Sequence, residues 1–256
     1  MRLVRSLYLN IFTFNILFIA IGFQSFASNP KVELHWNICD HSSESTIIQK
    51  LNFKLSKSSL RTVEYIDIPI ELNFLQNGIS VRIRKENDSW ESTLKIKQPL
   101  NFNIDNNYIL NSKEDSKCEY DKIGDIKVLN CSYSSQENKN NYPLNIYEAL
   151  NEEQMRILKL KLPYFNNFDL LRGTGQIRQE NFSLVYDKDN SFDLEITRLD
   201  QNSPDENLIQ LSLKTSNDKS EQTYLKWLNY LKRANIQLCS TQKSKTQIIL
   251  ENYLSP

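Results

Sequence analysis

The chain has 256 residues with 31 basic and 31 acidic side chains, and a formal charge of zero gives it no global field favouring nucleic acid or an anionic membrane surface. Its 5 glycines are too few for glycine-rich phosphate loops, so an anion would have to be held by side chains at a local site. The length suits one domain, or one domain with an insertion.

Arg2 and Arg5, a mostly apolar run over 11–23 and the small residues of Ser25-Phe26-Ala27 read as a signal peptide, residues 1–27, with cleavage expected after Ala27. The apolar run is interrupted by Asn15 and is short of the roughly 20 apolar residues of a spanning helix. No stable membrane span is therefore expected after cleavage; an uncleaved anchor is the alternative. Residues 28–256 would be secreted or periplasmic, as one domain with a polar loop and hairpin insertion around 100–142.

Over 32–38, Glu33, His35 and Asn37 fall on one face of a strand and Val32, Leu34, Trp36 and Ile38 on the other. Residues 42–55 have helical spacing, with serines able to cap the start. Asn77-Gly78 is turn chemistry. Residues 79–85 and 93–97 alternate apolar with polar on either side of a loop at Asn87-Asp88, so they read as paired antiparallel strands with Arg82 opposite Thr93. Arg82, Arg84, Lys95 and Lys97 then share one face, while Val81, Ile83, Leu94 and Ile96 share the other. Such crowded cations either stay in water or hold an anion of several charges.

A strand over 117–123 presents Lys117, Glu119 and Asp121 opposite Cys118 and Tyr120. A turn at Gly124-Asp125 would set Cys118 across from Cys131 at a non-hydrogen-bonded position, about 4.5 Å between Cα atoms and within disulfide reach. Cys39 and Cys239 would be the remaining pair. The four cysteines allow three pairings, and buried thiols or zinc ligands are alternative readings, although paired C-x-x-C spacing is lacking. Further on, 145–160 reads as a helix ended by Pro163. Short strands follow at 175–179, 183–186, 192–198 and 208–214, then an amphipathic helix at 220–234, then closing strands at 236–239 and 246–250. About eight short strands with two or three helices indicate an α+β fold, an antiparallel sheet closed or nearly closed, with helices on its apolar side.

Tyr65, Asp67, Pro69, Leu75, Asn77, Gly78, Arg82, Arg84, Trp90, Thr93, Leu94 and Lys95 stand in an order and spacing that resembles the CYTH domain, the adenylyl cyclase and thiamine triphosphatase branch of the triphosphate tunnel metalloenzymes. Weaker echoes run through Lys117-x-Glu119-x-Asp121, Arg178, Glu195, 209–214 and Ser244-Lys245. The resemblance implies an eight-stranded antiparallel β-barrel, a tunnel with its polar face inward. It implies binding of a linear triphosphate or polyphosphate, and its hydrolysis with a divalent cation, Mg²⁺ or Mn²⁺. Arg82, Arg84, Lys95, Lys97, Lys117 and Arg178 would hold phosphate, with Lys214 and Lys245 as further candidates. Glu33, Glu119, Asp121 and Glu195 would be the metal carboxylates, Glu119 and Glu195 the catalytic ones.

The sequence departs from the family's opening Glu-x-Glu-x-Lys, which here reads Glu33-Leu34-His35-Trp36-Asn37. Imidazole can ligate a metal but brings no negative charge, and asparagine can hydrogen bond a phosphate without neutralising it. Gln210 and Ser212 stand where the family's last strand is often rich in glutamate. A non-catalytic polyanion-binding module is therefore the alternative to an enzyme, and a secreted structural protein with a vestigial tunnel is a third. Set against all three is an ordinary half-exposed sheet whose charges face water.

Overall fold

A computed structural model describes residues 31–40, 42–87, 89–98, 116–137, 143, 145–199 and 207–255. The expected signal peptide, the Asn-rich stretch 101–111 and His41 lie outside them. The strands are β1 (Val32–Ile38), β2 (Lys54–Asp67), β3 (Ile79–Glu86), β4 (Ser89–Gln98), β5 (Ser116–Ile123), β6 (Ile126–Glu137), β7 (Arg172–Gly173), β8 (Ile177–Val185), β9 (Ser191–Arg198) and β10 (Asn207–Thr215). In the order β3-β4-β6-β5-β1-β10-β9-β8-β2, the last strand pairs back onto the first, and β7 is a two-residue addition to β2.

The barrel is thus closed by nine strands, where eight antiparallel ones were expected. Going round a closed ring with strictly alternating directions requires an even number of strands, so nine must include a parallel pair. That pair is β1 with β5. The β5–β6 hairpin, expected within an insertion, stands in the barrel wall between β4 and β1.

The helices are α1 (Glu44–Leu51), α2 (Asn73–Gln76), α3 (Ile146–Ala149), α4 (Glu152–Lys161), α5 (Ser220–Arg233) and α6 (Lys245–Leu254). Strand alternation sorts the wall into two surfaces. Outward, Val32, Leu34, Trp36 and Ile38 of β1 pack with Tyr224, Trp227 and Leu231 of α5, and Trp36 stacks on Tyr224 with ring centroids 5.2 Å apart. Val81, Ile83, Leu94 and Ile96 lie under Ile146, Ala149, Ile157 and Leu158 of α3 and α4. The apolar faces therefore meet helices outside the barrel, which leaves the polar faces inside.

The region expected as a strand over 246–250 is helix α6 instead, its first turn capped by Ser244, which accepts from the Gln247 N–H at 3.3 Å. Five residues are too few for strand and helix periods to separate. Tertiary packing decides: Ile249, Leu250 and Leu254 cover Val63, Tyr65, Ile177 and Leu208, the apolar continuation of the inward-facing rows. Helix α6 closes that end of the barrel. The helix expected over 145–160 is broken at Leu150 and Asn151, and Asn151 begins α4 with a reciprocal capping box to Gln154.

Local polar contacts set the β3–β4 hairpin. Buried Asp67 accepts backbone N–H bonds from Ile68, Phe74 and Leu75 at 2.8–2.9 Å, which fixes α2 and delivers the chain to Asn77-Gly78. Gly78 sits at φ +69°, and a Cβ there would stand 3.2 Å from the Lys97 Cβ. Its carbonyl accepts from the Lys97 N–H at 2.7 Å, which locks the register that puts Arg82 opposite Thr93. Both disulfides pair as expected, Cys118 with Cys131 and Cys39 with Cys239.

Candidate functional site

The inward faces enclose a tunnel of about 720 Å³. Its lining carries nine cationic side chains, from Arg61, Arg82, Arg84, Lys95, Lys97, Lys117, Lys214, Lys243 and Lys245. Against them stand five carboxylates, from Glu33, Glu119, Asp121, Asp193 and Glu195. Glu91, beside Arg82 and Arg84, and Glu251, 2.8 Å from Lys243, offset two of these cations from just outside the lining, which leaves an excess of two positive charges in a chain with no net charge.

The cations of β3 and β4 stand in a row, as the hairpin pattern predicts. Arg82 donates to Thr93 Oγ1 at 3.3 Å and lies 3.6 Å from Glu91; Arg84 lies 3.8 Å from the same carboxylate. Burial, with Arg82 and Arg61 close by, brings the Arg84 guanidinium down to about 10. Burial also lowers the Lys95 ammonium against the pull of Asp121, and lowers Lys97 in the same way. Among the described residues, neither Lys95 nor Lys97 has an ion-pair or hydrogen-bond partner, although Asp121 and Glu33 attract Lys95 from a distance. Desolvated, unpaired ammonium groups are costly, and an anion that neutralises them is correspondingly favoured.

The opposite wall is different. Glu195 on β9 is gripped by Arg61 of β2 and Lys245 of α6. Burial would raise its carboxyl, but those two cations hold it at about 2. Glu119 on β5 lies 2.5 Å from Lys117 and 3.2 Å from Lys214, which keep its carboxyl below the usual range despite burial. Lys214 also faces Glu33 at 3.8 Å. Glu33 and Asp121 sit side by side across the parallel β1–β5 pairing. His35 Nε2 is 3.8 Å from Asp121 Oδ1, and Asn130 donates to the other Asp121 oxygen.

Arg178 does not reach the tunnel. It alternates out of phase with Gln179, which faces inward to Arg61 and Thr197, and it points to the outer surface, 3.0 Å from Glu180 and about half exposed. Asn37 is also elsewhere than expected. It is fully buried, donating to the Lys243 carbonyl at 2.8 Å and accepting from Gln210 at 2.8 Å, while its backbone N–H donates to Gln242 at 3.0 Å. It ties the segment after Cys239 to β1, and that segment carries Lys243 and Lys245 into the tunnel. Every other candidate named from the sequence lines the cavity.

Arg61, Tyr65 and Lys243 were missed as tunnel cations or contacts. Arg61 was legible in principle, since it lies four residues before Tyr65 and so on the same strand face. Lys243 had no such signal, because its position depends on Asn37 and the Cys39–Cys239 bridge. Tyr65, 2 % exposed, lies close enough to Lys245 and Arg82 that their charge lowers its phenol although burial opposes this.

No protein-family model matches the sequence, and no curated protein is similar to it. Solved structures are similar in fold. HpAC1 from Hippeastrum, assigned as an adenylyl cyclase and described as having a dominant triphosphatase activity, superposes with a TM-score of 0.56 at 14% identity over 89% of this chain and 98% of its own. A Bacillus halodurans protein assigned as an adenylate cyclase gives 0.53 at 13% identity, covering 86% and 97%. The chain therefore has the fold of these two proteins, the tunnel that the CYTH resemblance implies.

Proposed function

We propose that the tunnel binds a linear triphosphate or polyphosphate and hydrolyses it with a divalent cation. The observation that carries this reading is the excess of cations inside an enclosed space, two of whose ammonium groups have no ion-pair or hydrogen-bond partner among the described residues. A condensed phosphate is long, flexible and densely anionic, so it matches a row of cations better than a compact anion does. In this reading Arg82, Arg84, Lys95 and Lys97 hold phosphate oxygens along one wall, with Lys117, Lys214, Lys245 and Arg61 on the other. Of the four carboxylates expected toward a metal, Glu33 and Asp121 converge with His35, while Glu119 and Glu195 are engaged by cations. The residues fit such an ion, because Glu33, His35 and Asp121 bring donor atoms within 4.8 Å of one another. A bound divalent ion would supply charge neutralisation on the phosphate oxygens. Glu119 and Glu195, both held below the ordinary carboxylate range, orient an attacking water by accepting its hydrogen bonds rather than by removing its proton.

The two disulfides support an oxidising compartment, and with it the exported address read from the first 27 residues. A second reading, a binding module without catalysis, is favoured by the double cation grip on both Glu119 and Glu195. Phosphate release from tripolyphosphate with Mg²⁺ or Mn²⁺, measured beside calorimetric binding of the same ligand, separates them. Release that disappears in Glu119→Gln while binding persists supports the enzyme; binding without release in the unmodified protein supports the module. Absence of tripolyphosphate binding overturns both.

A further inference from the structure

We infer that Glu33, His35 and Asp121 form a mixed imidazole and carboxylate site that selects a nitrogen-accepting first-row dication of the zinc class over Mg²⁺. This deepens the tunnel reading by naming the class of ion, and rests on that reading for what the ion would do. Glu33 and His35 are two residues apart on β1 and so share its inward face, while Asp121 pairs with Glu33 across the parallel β1–β5 register.

The three groups converge without satisfying one another. His35 Nδ1 and Asp121 Oδ1 are buried and without a hydrogen-bond partner, and the 3.8 Å between His35 Nε2 and Asp121 Oδ1 is too long for a hydrogen bond. Leaving buried polar atoms unsatisfied is costly, and a shared ion would satisfy Asp121 Oδ1 together with one imidazole nitrogen. Asn130 holds the second Asp121 oxygen, so the first is aimed rather than free to rotate. One donor atom from each residue lies within 4.8 Å of the other two. Ligand bonds of about 2.1 Å set tetrahedral donors about 3.4 Å apart, so the three side chains close in by about 1 Å to hold the ion.

The donor set decides the ion. Mg²⁺ demands oxygen ligands and gives up its waters reluctantly, whereas imidazole suits zinc and its neighbours in the first row. Glu33 also faces Lys214 at 3.8 Å, so the ion must compete with an ammonium group for that carboxylate. A stronger Lewis acid does this more readily than hydrated Mg²⁺.

Most protein sites bind Zn²⁺ more tightly than Mg²⁺, so the test is the change in that preference when the nitrogen donor is replaced. Calorimetric titrations of the disulfide-intact protein with Zn²⁺ and with Mg²⁺, without phosphate, give the ratio of affinities; Co²⁺ absorption reports nitrogen ligation independently. His35→Glu is expected to lower the Zn²⁺ to Mg²⁺ ratio at least about tenfold and to alter the Co²⁺ spectrum. An unchanged ratio in a variant whose circular dichroism matches the parent overturns the inference. Should His35→Glu fail to fold, His35→Gln is expected to lose Zn²⁺ affinity while leaving Mg²⁺ affinity alone, and retention of Zn²⁺ affinity has the same overturning force. Tripolyphosphate titrated into chelator-treated protein keeps the two claims apart: binding there beside an unchanged Zn²⁺ to Mg²⁺ ratio in His35→Glu overturns this inference and leaves the tunnel reading standing, whereas no binding overturns the tunnel reading.

Discussion

The two walls of the tunnel treat charge in opposite ways. On β3 and β4 the cations are crowded and desolvated, and Lys95 and Lys97 stand without partners. Across from them, Glu195 is engaged by Arg61 of β2 and Lys245 of α6, and Glu119 by Lys117 of its own strand and Lys214 of β10. One wall pairs its charges within the chain, and the other leaves two ammonium groups for the proposed anion. A paired carboxylate contributes to folding, whereas an unpaired ammonium group opposes folding and favours binding.

Glu195→Gln should be the most damaging single change, because it leaves Arg61 and Lys245 facing each other in an enclosed site with no counter-charge. Loss of one partner from a buried pair costs about 3–5 kcal/mol, and the midpoint of urea unfolding reads it directly. Stability unchanged within about 1 kcal/mol would show that the carboxylate wall does not pair its charges in the sense described.

The carboxylate wall should also set the acid limit. The Glu195 carboxyl lies at about 2 in the folded chain against an ordinary value of 4.5. Between these values the unfolded chain binds more protons, so stability rises with pH across that window. The contribution is fully present above about pH 4.5 and is lost as pH falls toward about 2, amounting to about 3 kcal/mol for such a shift. Unfolding free energies measured from pH 6 down to pH 2 should fall steeply in the parent and more gently in Glu195→Gln. Parallel curves would contradict the assignment.

Lys95→Met inverts the expectation. Removing a desolvated charge with no partner should leave the ligand-free barrel as stable or more stable, by about 1 kcal/mol. Losing a charge-assisted contact should weaken tripolyphosphate binding by about 10- to 100-fold. Thermal melts and calorimetry on one sample distinguish this pattern from general damage, which lowers both quantities.

The difference between the walls also marks what the sequence could show. The cationic wall is local, since two strands joined by a short loop fix Arg82 against Thr93, and alternation alone puts four cations on one face. The closed wall depends on distant partners. Arg61 and Glu195 are 134 residues apart, and Lys245 reaches Glu195 from a segment held to β1 by Asn37 and the Cys39–Cys239 bridge and to the barrel end by Ile249, Leu250 and Leu254. No window of sequence contains that information. The same holds for helix α6, whose apolar residues fit either period until the open end of the barrel selects one. The ninth strand was hidden for a related reason: β2 runs through 14 residues with a register shift between Leu55 and Lys57, and its inward Val63 and Tyr65 are apolar because α6 covers them.

Arg178 supplies the smallest expected effect and the sharpest control on the inside and outside assignment. It is a cation on a barrel strand, one residue from inward-facing Gln179, and sequence alone cannot tell which face the closed sheet turns inward. Its guanidinium lies on the outer surface, 3.0 Å from Glu180, which also meets Arg198 at 3.1 Å. An exposed pair of this kind contributes at most about 1 kcal/mol, and Arg198 remains to neutralise Glu180 when Arg178 is removed. Arg178→Ala should therefore leave tripolyphosphate affinity unchanged and shift stability by no more than about 0.5 kcal/mol. A tenfold loss of affinity would place Arg178 at the ligand and reverse the alternation of β8, and with it the inward direction of Gln179 and Asn181.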